Sequence, residues 1–369
     1  MRIFVQTTFP APYRADVFER LKAHFYIFVA YENFSDAAHH RHTDWYATHL
    51  GPDSVVVKSR GGRRRYALAK KRLREYDAAL IYEYSTPMAM LLMLACLRQG
   101  VPYLINVDGG FIHNNPVKNI VKTFFVRRAR ACLAGSESAE RYLRAFGAKP
   151  SDIYRHNFSN LSFDDLRQEP LNPQDKVATR RSLNLPPQGP IFIAVGQFIP
   201  RKGFDVLLDA WPDFDTTATL VLMGGGPEAS RYQNLIVRNG LHNVILRGFG
   251  DKETVFSYYQ ASDCFVLPTR EDVWGLVVNE AMACALPVIT TNRCIAGVEL
   301  IEQGVNGFTV DPEDPVALAG AMRAIIQDRE LRHAMAEANI EKISSYTVEN
   351  VAQSHADSIE HVLRGEPCT

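Results

Sequence analysis

The stretch from Asp263 to Thr290 limits what this chain can fold into more than any other. An apolar run, Asp263–Leu267, ends at Pro268, and the charged turn Arg270, Glu271, Asp272 follows. Gly275 then opens what reads as an amphipathic helix carrying Glu280, and a second apolar strand starts at Pro287. Strand, turn, helix, strand is a βαβ unit, and ligands of open α/β sheets sit at the carboxyl ends of such strands. The helix amino terminus presents N–H groups and the positive end of a dipole to a phosphate. Glu280, one turn further, faces the same place, where a carboxylate can take two vicinal hydroxyls. A site that holds phosphate and ribose together is a nucleotide site.

The same alternation runs along the rest of the chain. In the first half, apolar segments at Arg2–Gln6, Tyr26–Ala30, Ser54–Val57, Ala78–Tyr82, Tyr103–Val107 and Ala131–Ala134 are strand candidates. Helical patterns fall at Ala15–Ala23, Tyr66–Glu75, Met88–Arg98 and Ser138–Phe146. In the second half, strands are expected at Ile191–Val195, Thr219–Met223, Val244–Leu246 and Cys264–Leu267, with helices over Phe204–Trp211, Arg231–Asn239 and Glu253–Gln260. This order predicts parallel sheets wrapped by helices. Ser162–Pro190 is polar and broken by five prolines, and it reads as a linker. With 369 residues the chain exceeds the roughly 250–300 at which single cores stop growing, so two domains are expected.

Six cysteines without metal-ligand spacing favour a reduced compartment. Met1–Val5 already reads as a buried strand rather than a leader. The longest apolar run, Met88–Leu97, is half a membrane span. These features predict a cytoplasmic chain. Its formal net charge of zero hides an asymmetry: residues 1–160 carry +11 and residues 161–369 carry −11. A basic first half suits an anionic partner, either acidic lipid head groups or a phosphorylated substrate.

Three further segments bear on chemistry. Val195–Gly203 (VGQFIPRKG) places Arg201 and Lys202 just after a strand, where two cations suit a diphosphate. Leu222–Pro227 (LMGGGP) is a glycine-rich turn that lets backbone approach a ligand closely. Neither it nor the loop after the first strand has the dinucleotide spacing G-x-G-x-x-G. Asp213-Phe214-Asp215 has the look of a metal-binding D-x-D, but it follows a helix end rather than a strand, and no metal is expected.

Together these segments resemble family 4 of the retaining glycosyltransferases, whose pattern is an acid, seven residues, then Glu, with Gly three after the first acid and Glu-Ala-Met beyond. Gly275, Glu280, Ala281 and Met282 match, and Asp272 stands where the family has Glu. Lys202 and Gly203 match the family's Lys-Gly, while Gln197 replaces its first Arg, so Arg201 is expected to supply that charge. Ala285 stands where a glycine commonly ends the helix.

The resemblance implies the GT-B fold: two facing Rossmann-like domains with parallel sheets and a C-terminal helix crossing back to the first domain. It divides the chain into an acceptor-binding domain over 1–165, a nucleotide-sugar domain over 187–345 and the returning helix within 346–369. It implies that Asp272 orients the donor sugar, that Arg201 and Lys202 hold the diphosphate, and that Glu280 anchors the ribose. Gly275, Leu276, Gly196, Gln197, Gly225 and Phe249 complete the donor site. Asp108, Gly109, Gly110 and His113, after the strand Tyr103–Val107, are the first-domain candidates. The donor is a UDP-, GDP- or dTDP-linked sugar with no further cofactor. The acceptor is a glycan or lipid-linked saccharide of cell-surface polysaccharide, reached at the cytoplasmic face of the membrane. Alternatives of the same fold are a GT-B epimerase, a phosphorylase or an inactive nucleotide-binding scaffold.

Gly61–Arg74 packs seven cations into one helical stretch, with Arg60 adjoining. It reads either as a solvated helix face or as a contact for an anionic membrane surface. Nucleic acid is disfavoured, because no stacking platform or reading helix accompanies the charge.

Overall fold

A computed structural model describes residues 1–34, 50–212 and 217–365. The chain divides into two compact units, Met1–Asn160 with Tyr346–Thr369, and Leu161–Ser345.

The first unit is built on seven parallel strands: β1 (Arg2–Thr7), β2 (Tyr26–Tyr31), β3 (Ser54–Val56), β4 (Ala78–Ile81), β5 (Tyr103–Val107), β6 (Ala131–Ala134) and β7 (Ile153–Arg155). Their spatial order is β3-β2-β1-β4-β5-β6-β7. Successive residues of a strand face opposite sides, so β1 and β4 feed two cores. Phe4, Ala79 and Ile81 pack under the helices Gly62–Lys71, Pro87–Gln99, Pro116–Val126 and Glu137–Ala145. Ile3, Val5 and Leu80 pack under Pro12–Leu21 and the last helix, Val348–Arg364.

That last helix also makes a polar contact with the sheet. The Asn106 side chain meets His355 Nε2 at 3.2 Å and His156 Nε2 at 3.1 Å, and its amide donates to Asp108 at 2.7 Å. His355 Nδ1 lies 2.8 Å from the Val351 carbonyl. Burial holds His355 down to about 4, against the pull of the Val351 carbonyl and Asp108, and burial likewise holds His156 well below the ordinary value. A histidine with a lowered folded pKa stabilises the fold fully above its unfolded pKa and loses that stability as pH falls toward the folded value. Acidification from pH 7 to pH 5 is expected to cost about 2 kcal/mol through His355 alone. Urea denaturation at the two pH values checks this, and His355→Gln should flatten the slope.

The second unit has six parallel strands: β8 (Ile191–Gln197), β9 (Thr219–Gly225), β10 (Val244–Arg247), β11 (Cys264–Leu267), β12 (Val288–Thr291) and β13 (Gly307–Val310), in the order β10-β9-β8-β11-β12-β13. Much of the expected linker is helical here. Asn172 caps Pro173–Ser182 by accepting from the Asp175 N–H at 2.9 Å, and Pro173 suits the first turn. On this helix Arg180 is buried, donating to Asp263 at 2.6 Å and to the Ala261 carbonyl at 2.8 Å. A polar sequence therefore sits firmly on the sheet through one buried cation.

The helix after β11, Leu276–Ala283, is not amphipathic. It is buried on nearly all sides, with only Leu276, Val277 and Glu280 partly open. Its end keeps the left-handed geometry usually given to glycine, with Ala285 at φ +60°. Leu286 N–H donates to the Ala281 carbonyl at 3.1 Å and Ala285 N–H to Met282 at 2.9 Å, the paired closure of a Schellman turn.

Candidate functional site

In the second sheet β8 leads toward β9 and β11 leads toward β12, so the loops that follow them part at the switch point between β8 and β11. Two hydrogen bonds to the Arg201 carbonyl tie these loops together, from Arg270 N–H at 2.8 Å and Thr269 Oγ1 at 2.9 Å. Their closeness requires glycine at position 203. Its φ is +68°, and a Cβ there would lie 2.0 Å from the Pro268 carbonyl oxygen.

This approach brings Lys202 and Arg201 onto Asp272. Lys202 Nζ lies 2.5 Å from one carboxylate oxygen, and Arg201 Nη1 lies 3.2 Å from the other. The Asp272 backbone is fixed too: its N–H donates to the Arg293 carbonyl at 2.9 Å, and its carbonyl accepts from Ile295 at 3.1 Å. Burial pushes the Asp272 carboxyl up, but Lys202 and then Arg201 override it and hold the group below the ordinary value. The triad carries one net positive charge. The Lys202 side chain is 10% exposed and that of Arg201 38%, so Arg201 is the arm with room to move.

The other charges of the loop are engaged elsewhere. Arg270 chelates Asp205 at 2.9 and 3.0 Å and pairs with Glu313, and Glu271 accepts from Arg293 at 2.6 Å. Gly275 opens the following helix at φ +98°, and a Cβ there would lie 3.8 Å from Asp272 Oδ2, so the helix start abuts the triad. Leu276 is its first residue. Glu280, on the same helix, accepts from the buried Tyr259 hydroxyl at 3.1 Å. Burial, reinforced by the charge of Glu280, raises the Tyr259 phenol well above its ordinary value, so it stays a donor that orients the carboxylate.

Gly196 and Gln197 close β8, and Phe249 lies over Gly225 at the end of β9, its ring 2.7 Å from where a Cβ of Gly225 would stand. Asp213-Phe214-Asp215 lies outside the described residues.

The first unit carries a second charged cluster at its own switch point, between β1 and β4. Arg14 donates to Asp108 at 2.9 Å and to Thr7 at 2.9 Å, and it pairs with Glu83. Glu83 sits at φ +42°, where its carboxylate accepts from the Thr8 N–H at 3.1 Å. Asn106 and His355 continue the cluster behind Asp108. Gly109 and Gly110 follow it in sequence, and a Cβ on Gly110 would lie 3.2 Å from the Tyr142 ring. His113 does not join them: it is exposed, and its carbonyl accepts from Asn115 and Asn119.

Residues 175–342 match the family Glycosyl transferases group 1. This match lies within the second unit. Its similarity extends to an uncharacterized glycosyltransferase of Methanocaldococcus jannaschii, 33% identical over 39% of this chain and 40% of that protein. It extends also to the D-inositol 3-phosphate glycosyltransferase of Xylanimonas cellulosilytica, 29% identical over 52% of this chain and 47% of that one. The matched region thus spans about half the length of these curated relatives or less. The crystal structure of HepE from Anabaena in complex with UDP superposes with a TM-score of 0.78 at 19% identity, covering 97% of this chain and 99% of that one. Two parallel-sheet, Rossmann-like domains make this the GT-B fold.

Within the second unit, sequence reasoning missed Tyr259, the partner of Glu280, because a tyrosine in an aromatic helix gives no sign of what it faces. In the first unit it missed Glu83, Asn106 and His355. The only available signal was a glutamate directly after an apolar strand, at Glu83.

Proposed function

We propose that the chain is a retaining, metal-independent glycosyltransferase that takes a sugar from a nucleoside-diphosphate donor. The observation that carries this reading is the Arg201–Lys202–Asp272 triad at the sheet switch point, beside a helix start. Its net positive charge and the adjacent dipole end suit a diphosphate that gains charge as the glycosidic bond breaks. Arg201 supplies a planar fork and Lys202 a fixed point charge. Asp272 holds both cations in register and lies where a sugar attached to that diphosphate would reach. Glu280, steadied by Tyr259, takes the ribose hydroxyls, and the aromatic face of Phe249 lies beside the base. The relative bound to UDP supports a nucleoside diphosphate as the ligand class. The acceptor in this reading is a lipid-linked or glycan saccharide of cell-surface polysaccharide, met at the cytoplasmic membrane face.

Titration of the purified chain with UDP, GDP and dTDP, first with EDTA and then with Mg²⁺, tests the donor side. One of the three is expected to bind with the same affinity in both conditions. Binding that appears only with Mg²⁺ would overturn metal independence. No binding at all would leave a scaffold of the same fold as the better reading.

A further inference from the structure

Three neighbouring helices on one face of the first sheet, Gly62–Lys71, Pro87–Gln99 and Pro116–Val126, contain no acidic residue. In a chain with 41 bases and 41 acids this is a pronounced segregation. The opposite face is mixed: there Arg20 on Pro12–Leu21 pairs with Glu349 on Val348–Arg364.

The fourth helix of that face, Glu137–Ala145, carries Glu137 and Glu140, while the acid-free three also present apolar side chains to water. Val117, Ile120 and Phe124 fall at i, i+3 and i+7, a single stripe along one helix. Val117 is 71% and Ile120 70% exposed, and the two other helices each expose a leucine, Leu68 and Leu91. Single exposed apolar side chains need no explanation, but a stripe of three along one helix does.

The cations of this face are not explained by helix dipoles alone. Lys70, Lys71 and Arg98 lie in last turns, where positive charge is favoured. Arg63, Arg64, Arg65 and Lys118 lie in first turns, where it is disfavoured. Among the described residues none of these four forms an ion pair, so their charge is left to act outward. Between the ends of Pro87–Gln99 and Pro116–Val126 lies a groove of about 730 Å³, lined by Leu97, Arg127, Arg128, Arg130 and Lys149, with Asp152 the acid in its wall. The Arg128 guanidinium stands 3.9 Å over the Phe124 ring, joining groove to stripe.

We infer that this helical face docks on an anionic lipid bilayer. The Val117–Ile120–Phe124 stripe enters the boundary between head groups and acyl chains, and the arginine-lined groove takes lipid phosphate. Cations set around a modest apolar stripe are the composition of a surface that lies on a membrane rather than crossing it. No helix among the described residues is long and apolar enough to span one. The inference places the membrane contact on three helices rather than on Gly61–Arg74 alone. It deepens the acceptor side of the proposed function and rests on that reading for its purpose, not for its geometry.

Co-sedimentation of the full chain with vesicles of phosphatidylcholine, alone or mixed with phosphatidylglycerol, tests it. Wild type should pellet with the mixed vesicles, release with rising salt, and bind pure phosphatidylcholine poorly. Val117→Ser/Ile120→Ser/Phe124→Ser should lower the partition coefficient at least about tenfold, with unchanged circular dichroism because these side chains are on the surface. Arg127→Gln/Arg128→Gln should lower it about tenfold and reduce its salt dependence. Equal binding by wild type and both variants would overturn the inference, as would wild type ignoring anionic vesicles. Sedimentation equilibrium without lipid is expected to show a monomer, and a dimer dissociated by Ile120→Ser would assign the stripe to a second copy and overturn docking. Nucleotide titration on the same preparation separates the two readings. Nucleotide binding without vesicle binding sinks docking alone, and vesicle binding without nucleotide binding sinks the donor reading alone.

Discussion

Lys202→Ala is expected to abolish nucleoside-diphosphate binding and to destabilise the second unit by about 3–5 kcal/mol. Both effects follow from where the amine sits. An exposed ion pair is worth about 0–1 kcal/mol, because water screens it and ordering two side chains opposes it. The Lys202–Asp272 pair is different: both side chains are at least nine-tenths buried, so removing the amine leaves a carboxylate with only the more exposed Arg201 to balance it. The stability loss is therefore mostly the cost of stranding Asp272, and a second change can separate it from function. In Lys202→Ala/Asp272→Asn much of the stability should return, while nucleotide binding should not. Urea denaturation and nucleotide titration of the two variants decide this. Recovery of binding in the double variant would show that Lys202 serves only to neutralise Asp272, and the assignment of the triad to a diphosphate would fall. The pH dependence agrees in sign. With its folded pKa lowered, Asp272 contributes stability above the ordinary carboxyl pKa and loses it as pH falls through the folded value.

The parallel architecture was legible because buried strands read as short apolar runs, and β1, β4, β5 and β8 are buried along most of their length. Of the four edge strands, β7 and β13 were not anticipated. Each has only its first residue buried, so neither leaves an apolar run in the sequence. The helix Pro173–Ser182 was hidden for a related reason: it is held by Arg180 and its buried partners rather than by an apolar face. At the donor side, the acid–seven–Glu motif singled out Asp272 and the Lys-Gly motif singled out Lys202, and the two side chains meet because the strands before them, β11 and β8, are neighbours in the sheet. Neither motif said what Glu271 and Arg270 meet, because their partners, Arg293, Asp205 and Glu313, come from elsewhere in the chain. The first unit is different. His113 was named with Asp108 from the resemblance, and it stands exposed, apart from the cluster around Asp108. The groups that do meet the Asp108 carboxylate are Arg14, from after β1, and Asn106, from β5 itself, while Glu83 and His355 join through those two, and no local pattern records that.

That cluster supports the second large effect. Arg14→Met should destabilise the first unit by about 3–5 kcal/mol, since it leaves Glu83 and Asp108 close together without their shared cation. Methionine keeps most of the length and the apolar contact of the side chain, so the loss reports the guanidinium rather than a cavity. Glu83 makes the site less forgiving. Its left-handed φ costs about 1–2 kcal/mol for a residue with a Cβ, and the bonds it accepts from Thr7, Thr8 and Arg14 are what hold it there. Two measurements test the account. First, the difference in stability between wild type and Arg14→Met should shrink as pH falls through the carboxylate range, because protonation relieves the stranded charges; a gap that stayed constant would mean packing, not charge, was lost. Second, nucleotide binding should be retained by Arg14→Met, because every residue assigned to the donor lies in the second unit. If transfer to an acceptor is lost while nucleotide binding persists, the Arg14–Glu83–Asp108 cluster belongs to the acceptor half of the reaction. If transfer persists as well, the cluster is a structural clamp on the ends of β1, β4 and β5, and the chemistry lies elsewhere.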